Sequence, residues 1–423
     1  MTTLASVVSC LSDYDPNALP VAQAQAIMRD FVQPISGFAR VPIRSALDRV
    51  LAEDVLSSID VPSHDNSAMD GFAFASAELS RGEGEVSLHV IGTAYAGVAF
   101  DGTLGAGEAV RVMTGAVMPA GCDTVIPQEF TQGDASTVRF ARDAVRAGDN
   151  RRLRGEDLAQ GGAALSAGRI LRPADIGMLA SLGIAEVPVR RKLRVAFFST
   201  GDELRSIGEP LDAGCVYDSN RYTLHGMLSR LGVELIDMGV VRDDPKLLER
   251  AFHDAARCAD VVITSGGVSV GEADFVKELL ERMGEVVFWK IAMKPGRPLA
   301  YGRIAGAHFF GLPGNPVSVM VTFYQFVRDA LLKLSGRDPV PALPTFAVPC
   351  TTPLKKAPGR TEFQRGVLTQ NAQGKWSVHV TGEQGSGILR SMSEANCFII
   401  LPTDQGNVGA GTLVEVQVME GVI

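Results

Sequence analysis

DVVITSGGVSVGEAD, residues 260–274, decides how the chain is read. Its apolar run is too short for a helix and stops at a serine and two glycines. This predicts a buried strand over 260–264, the turn Ser265-Gly266-Gly267, and a helix over 274–283. A strand apolar on both faces is covered on both sides, as in parallel sheets. The same texture extends outward. Runs 193–199 and 233–241 are apolar, a helix over 220–231 ends at Gly232, and Asp244-Pro245 opens a helix over 245–258 with an acceptor before a first-turn proline. Downstream, a strand over 286–291 and a long helix over 316–334 complete the pattern. Repeated strand–helix alternation predicts an α/β unit built on a parallel sheet.

Beyond that unit the texture changes. Residues 20–38 carry apolar side chains at helical spacing, and a short helix is expected over 43–51. From 86 to 145 short alternating runs and recurrent glycines predict a mostly-β segment. A Gly/Ala-rich bridge over 158–168 leads to a helix over 173–182 closed by Gly183. After the proline-rich 341–344, strands are expected over 345–351, 362–368, 376–381, 396–401 and 413–418, as in a small barrel or sandwich.

At 423 residues the chain exceeds one core, so two to four domains are expected. A net charge of −8 with no Lys/Arg run argues against general nucleic-acid binding. Six cysteines without a C-x-x-C pair suggest neither a disulfide framework nor a zinc site. With no secretory leader pattern and no apolar run of membrane-spanning length, a cytoplasmic protein without a membrane segment is expected.

Ligands collect outside the carboxyl ends of strands in open parallel sheets, which directs attention to the residues just after each apolar run. Glu203 follows the first and Asp243 the second. The glycine turn, Ser269 and Asp274 follow the third. Lys290 ends the fourth, with Lys294 and Arg297 beyond it. Glycines let backbone N–H groups approach a phosphate without an intervening Cβ, and the next helix presents its positive end. An ordinary strand-to-helix turn would use the same glycines. Glu203, Asp243 and Asp274 are oxygen donors suited to Mg²⁺, or singly helix caps and solvated carboxylates. The two lysines precede Pro295-Gly296-Arg297-Pro298, a constrained loop, and suggest oxyanion recognition. In GLPGNPVS (311–318), Pro313 precedes a cap at Asn315, a first-turn Pro316, and Ser318. The first-turn N–H groups could bind an anion or could simply be capped. Two polar stretches, VPSHDNSAMDGF (61–72) and NRRLRGED (150–157), fit solvated loops or an anion clamp. No Ser/His/Asp set or metal-ligand histidine spacing is present. Acids, cations and main-chain donors suit phosphate or anhydride chemistry.

The motifs DNSAMDG (65–71), RVMTGA (111–116), RGED (154–157), FSTGDEL (198–204), YDSNR (217–221), ITSGGVSVGEAD (263–274), MKPGRP (293–298), GLPGNPVS (311–318), FQRG (363–366) and QGS (384–386) span nearly the whole chain. In that order they resemble the molybdopterin molybdenumtransferase family. The resemblance implies a parallel α/β molybdopterin-binding domain (18–37 and 193–341) and a mostly-β domain (57–161). It also implies a small linking domain (38–56 and 162–192) and a C-terminal β-barrel (342–423). It further implies adenylylated molybdopterin and molybdate as substrates, Mg²⁺ as cofactor, AMP as a product, and a homodimer whose site lies between the α/β domain of one subunit and the β domain of the other. By matching positions, Asp70, Thr114, Arg152 and Asp157 belong to the β-domain side. Glu203, Asp243 and Asp274 surround nucleotide and metal. Lys290, Lys294, Pro313, Pro316, Ser318, Arg365 and Ser386 lie near the phosphate and the incoming oxyanion. Implied partners are the adenylyltransferase that makes the substrate and apo-molybdoenzymes or their chaperones. Departures from the family pattern fall at Ser63-His64, Leu153, Arg297, Glu383 and Gly387. The rival functions are adenylyl transfer onto molybdopterin, which would not need the flanking β segments, and a non-catalytic dimeric scaffold, which would not need the acids.

Overall fold

The computed structural model describes residues 15, 18–267 and 274–419, with Asp274 and Phe275 described by backbone only. Ser269 and the side chain of Asp274, both expected at the site, lie outside the described residues. At the centre is a six-stranded sheet formed by β1 (Arg194–Thr200), β2 (Glu234–Val241), β3 (Val261–Ser265), β4 (Gly284–Lys290), β5 (Pro298–Ile304) and β6 (Ala307–Leu312), in the order β2-β1-β3-β6-β5-β4. The β1/β2, β1/β3 and β3/β6 pairs are parallel, and β5 runs antiparallel to both β6 and β4. Hence β4 points the same way as the parallel strands. The sheet is thus parallel, as expected, except for the hairpin strand β5. The hairpin of β5 and β6, absent from the sequence reading, turns at Ala305-Gly306, both with positive φ (46° and 95°), as a two-residue hairpin turn requires.

Both faces of the sheet are covered. Helix α1 (Val21–Phe31) buries Ala24, Ile27, Met28 and Phe31 in one core with Val195, Phe197, Ile263 and Phe310. On the other face, Leu248, Phe252 and Leu280 pack on Ala196, Phe198 and Val262. This two-sided burial is what the apolar texture of the strands demanded. The expected helix over 316–334 is interrupted. An α-helical segment Pro316–Thr322 passes through a π-helical turn, Phe323–Val327, into Arg328–Leu334. The expected helix over 43–51 reduces to one 3₁₀ turn, Ile43–Ser45, because Asp48 takes a left-handed conformation (φ 61°) that ends helical propagation.

Residues 38–42 pair with 186–190, and 55–56 with 163–165, around Ala46, Leu51, Leu171, Leu179 and Val189. Between these segments a second six-stranded sheet runs in the order 124–127, 71–74, 108–112, 86–94, 137–140, 132–133. The C-terminal strands are β7 (Thr345–Pro349), β8 (Thr361–Gln370), β9 (Trp376–Val380), β10 (Cys397–Leu401) and β11 (Leu413–Val418). They pair as β7-β11-β10-β8-β9, and a bridge between Cys350 and Val378 closes the barrel. Residues Met293–Lys294 add in parallel to the start of β8, which fixes the barrel against the loop between β4 and β5. Among the described residues, no helix is long and apolar enough to cross a membrane.

Candidate functional site

A cavity of about 810 Å³ opens where the carboxyl ends of the sheet meet the barrel. Sheet order arranges its wall. Asp243 follows β2, Glu203 follows β1, Gly266 and Gly267 follow β3, Pro313 and Gly314 follow β6, and Arg297 precedes β5. The wall therefore runs from carboxylates at one end, across two glycine turns, to cations at the other.

The turn after β3 needs its glycines. Gly266 and Gly267 have φ of +90° and +67°. A Cβ on Gly266 would strike the Thr200 carbonyl, and one on Gly267 would lie 2.8 Å from the Thr200 hydroxyl. One expectation changes here, because the Gly266 N–H already donates to the carbonyl of Leu312 (3.1 Å). The Ser265 hydroxyl and the Gly267 N–H remain as the donors this turn can offer. The same correction applies to the helix at Pro316. Proline has no N–H, and the Val317 N–H donates to the carbonyl of Ser386 (3.1 Å). The helix start is thus docked on the barrel loop 384–386, and the buried Ser318 is what it contributes to the cavity wall.

Of the expected residues, Glu203, Asp243, Ser265, Gly266, Gly267, Lys294, Pro313, Ser318 and Ser386 line this one cavity. Lys290, half-buried at the end of β4, and Pro316 do not. Neither does Arg365. Only 1% exposed, it lies beneath the loop it was expected to accompany. Its Nε donates to Ser391 Oγ (3.0 Å), its Nη2 to the carbonyl of Gly385 (2.9 Å), and its backbone N–H to Gln384 Oε1 (2.7 Å). Burial pulls its guanidinium down to about 10. Lys294 is exposed, and its Nζ lies 3.4 Å from Oε1 of the buried Glu362, which anchors it at this end of the cavity. Arg297 and Arg360, which precedes β8, add two guanidinium groups at the same end.

The residues expected on the β-domain side gather elsewhere on the chain. Asp70 accepts the Thr114 N–H (2.7 Å) and the Thr114 hydroxyl (2.8 Å), and these bonds hold its carboxyl below its ordinary value. Residues Asn66–Ser67 pair with Arg151–Arg152, which brings the DNSAMDG and RGED motifs together. There Arg151 pairs with Asp65, Arg152 with Glu156 (2.7 Å) and Arg154 with Asp60 (2.6 Å), so Arg152 is engaged within its own loop. Asp157 is exposed beside them. None of these four lines the cavity of the same chain.

Asn220, Arg360 and Gln384 line the cavity and were not among the expected site residues. The quoted motif YDSNR contained Asn220, but an asparagine at a helix start reads as capping chemistry. Among the described residues, no group of three His, Cys, Asp or Glu side chains is placed to hold a metal. The two carboxylates of the wall still fit Mg²⁺, which commonly takes one or two protein carboxylates and completes its octahedron with phosphate oxygens and water.

Fold and cavity together define a class: a multidomain α/β protein with a cavity at the carboxyl edge of the sheet, walled on one side by a β-barrel. Residues 19–183 match the MoeA N-terminal region (domain I and II), residues 196–333 a probable molybdopterin binding domain, and residues 347–419 the MoeA C-terminal region (domain IV). The chain is 46% identical to a molybdopterin molybdenumtransferase of Haemophilus influenzae, over 89% of this chain and 92% of that one. It is 37% identical to molybdopterin molybdenumtransferase 2 of Mycobacterium tuberculosis, over 89% and 94%. The crystal structure of a molybdopterin biosynthesis moeA protein from Pyrococcus horikoshii superposes with a TM-score of 0.82 at 30% identity, covering 95% of this chain and all of that one. The chain belongs to the molybdopterin molybdenumtransferase family and is an enzyme of molybdenum-cofactor biosynthesis.

Proposed function

We propose that this chain transfers molybdenum from molybdate into adenylylated molybdopterin, with Mg²⁺-dependent hydrolysis of the phosphoanhydride releasing AMP. The observation that carries this reading is the polarity of the cavity, with carboxylates, glycine turns and cations in sequence along a single wall. A nucleotide diphosphate with a metal-bridged end and a separate tetrahedral oxyanion has the complementary charge pattern.

In this reading the Ser265 hydroxyl and Gly267 N–H bind the anhydride oxygens, and Glu203 and Asp243 hold Mg²⁺ with Asp274. Mg²⁺ held there would supply positive charge to offset that of the phosphate oxygens. Water adds to phosphorus, the bridging oxygen leaves with one fragment, and AMP and the molybdopterin phosphate separate. Lys294, Arg297, Arg360, Ser318 and Ser386 orient the incoming oxyanion. Arginines add planar donor pairs where lysine offers a point charge. Asp70, Thr114, Arg152 and Asp157 reach the site from a second subunit of a homodimer. That assignment is supported by the bond between Thr114 and Asp70, by the pairing that joins the loops of Asp70 and Arg152, and by the absence of all four from the lining of the same chain's cavity. The four-domain division described above and a cytoplasmic setting belong to the same proposal.

Purified protein given adenylylated molybdopterin, Mg²⁺ and molybdate should release AMP and yield cofactor that activates an apo-molybdoenzyme. Nucleotide that stays intact over many expected turnovers would sink the catalytic reading in favour of a scaffold.

A further inference from the structure

A wall that binds anions has to present protons, yet two groups at the junction of the glycine turns do not do so unaided. The carbonyl of Gly314 can only accept, and the Ser265 hydroxyl can turn either a lone pair or its proton toward the cavity. Asn220 touches both. Its Nδ2 donates to Ser265 Oγ (2.7 Å) and to the Gly314 carbonyl (2.7 Å). Because that carbonyl has no proton to give, the amide can be oriented only this way.

The position of Asn220 is set from two directions. It stands in the first turn of the helix Ser219–Arg230, whose cap Asp218 accepts the Arg221 N–H (3.1 Å). Asp218 also accepts the hydroxyl of Ser199 (3.0 Å), which ties the helix start to the end of β1. Among the described residues, Asn220 Oδ1 is buried without a hydrogen-bond partner. Such an orphan acceptor destabilises a fold, so the side chain is poorly explained by stability alone.

We propose that Asn220 is a positioning residue that sets the polarity of the cavity. By occupying a lone pair of Ser265 Oγ it directs the serine proton away from itself and toward the bound anion. By binding the Gly314 carbonyl it withdraws an acceptor from the anion's surroundings. It also holds the turns after β3 and β6 in register, where Gly314 and Gly266 would come within 3.9 Å if Gly314 carried a Cβ. The proposal deepens the nucleotide reading above and rests on it for the identity of the anion.

The test measures binding of AMP and of inorganic pyrophosphate by calorimetry, with wild type, Asn220→Asp, Asn220→Ala, Ser265→Ala and the Asn220→Ala/Ser265→Ala double variant. Asn220→Asp keeps the shape but removes the donor, so both probes should bind about tenfold or more weakly near neutral pH. Part of the loss should be recovered toward about pH 5, where a protonated carboxyl regains a donor. Wild type titrated over the same range controls for Asp218 and Arg221 on the same helix and for Glu203 and Asp243 across the cavity. In the double variant the two losses should fall well short of additive, because Asn220 acts through Ser265.

Wild-type affinity for both probes in a folded Asn220→Asp or Asn220→Ala protein would overturn the proposal, as would strictly additive losses. If Asn220→Asp does not fold, the alanine cycle decides alone. Wild type that binds pyrophosphate but not AMP would remove the nucleotide reading and leave Asn220 judged on pyrophosphate. Wild type that binds neither would overturn both.

Discussion

Replacing Arg365 by methionine should leave the fold nearly as stable as before while impairing the site. Arg365 is 1% exposed, and burial lowers its guanidinium from the ordinary arginine value to about 10. That shift corresponds to about 3 kcal/mol of disfavoured charge. Against it stand two charged-donor bonds from the side chain, to Ser391 Oγ (3.0 Å) and the Gly385 carbonyl (2.9 Å). Each contributes about 1.5–3 kcal/mol. The terms nearly offset, and methionine fills most of the volume, so the net change should be about 1 kcal/mol, roughly 5 °C for a barrel of this size. The folded-state value lies below the ordinary one, so the folded protein releases this proton more readily than the unfolded chain. The penalty is complete below about pH 10 and is relieved only above it, and the stability difference should stay flat between about pH 6 and 9. Function should respond differently. Without Arg365 the Gly385 carbonyl loses its charged donor and keeps only the longer bond from the Ile388 N–H (3.3 Å), so the loop carrying Gln384 and Ser386 is held by the backbone N–H of residue 365 on Gln384 Oε1 and by Val317. The KM for molybdate in the AMP-release assay should rise about tenfold. A fall in melting temperature beyond about 10 °C would show that the offset between burial and bonding is wrong. Unchanged kinetics would show that Arg365 does not set the loop.

Three further outcomes follow from other parts of the chain. Mixing Asp70→Ala subunits with Glu203→Gln subunits should restore AMP release that neither variant shows alone, because mixed dimers would contain one intact site; no complementation after subunit exchange would place both residues within a single chain's site. Thr114→Val removes one of two bonds to Asp70, and the Asp70 carboxyl, held low by Thr114, should titrate higher when followed by carbonyl NMR. The linked stability, present above the unfolded-state value and lost as pH falls through the folded one, should then disappear at a higher pH; an unmoved titration would assign the low value to another cause. Gly266→Ala should abolish AMP binding and lower stability by about 2 kcal/mol or more, since the backbone is left-handed there and the Cβ meets the Thr200 carbonyl; calorimetry and thermal unfolding together check this.

Much of the α/β unit could be read locally. Apolar runs bounded by Asp244-Pro245, Gly232 and Gly266-Gly267 carry their own start and stop signals, and the C-terminal strands alternate as half-buried strands do. The hairpin of β5 and β6 escaped notice because PGRPLAYGRIAG is dense in glycine and proline, and it is a strand pair only through its fit beside β3 and β4. Nine of the expected residues line one cavity, whereas Arg365, expected near the incoming oxyanion, does not, since a charged residue in a motif looks the same whether it faces a ligand or a loop.

Residue chemistry and spacing along the chain were enough to determine the strand–helix alternation, the position of the turn after 265, and the family. These depend on interactions within a few residues, or on a motif order that any fold must preserve. Tertiary structure alone decided that Gly266 and Val317 have already given their N–H groups to the protein, that Arg365 is buried beneath the loop 384–386, and that Asn220 joins two turns from different strands. Those outcomes depend on pairing between residues 20 to 94 positions apart and on burial, neither of which leaves a local pattern in the sequence.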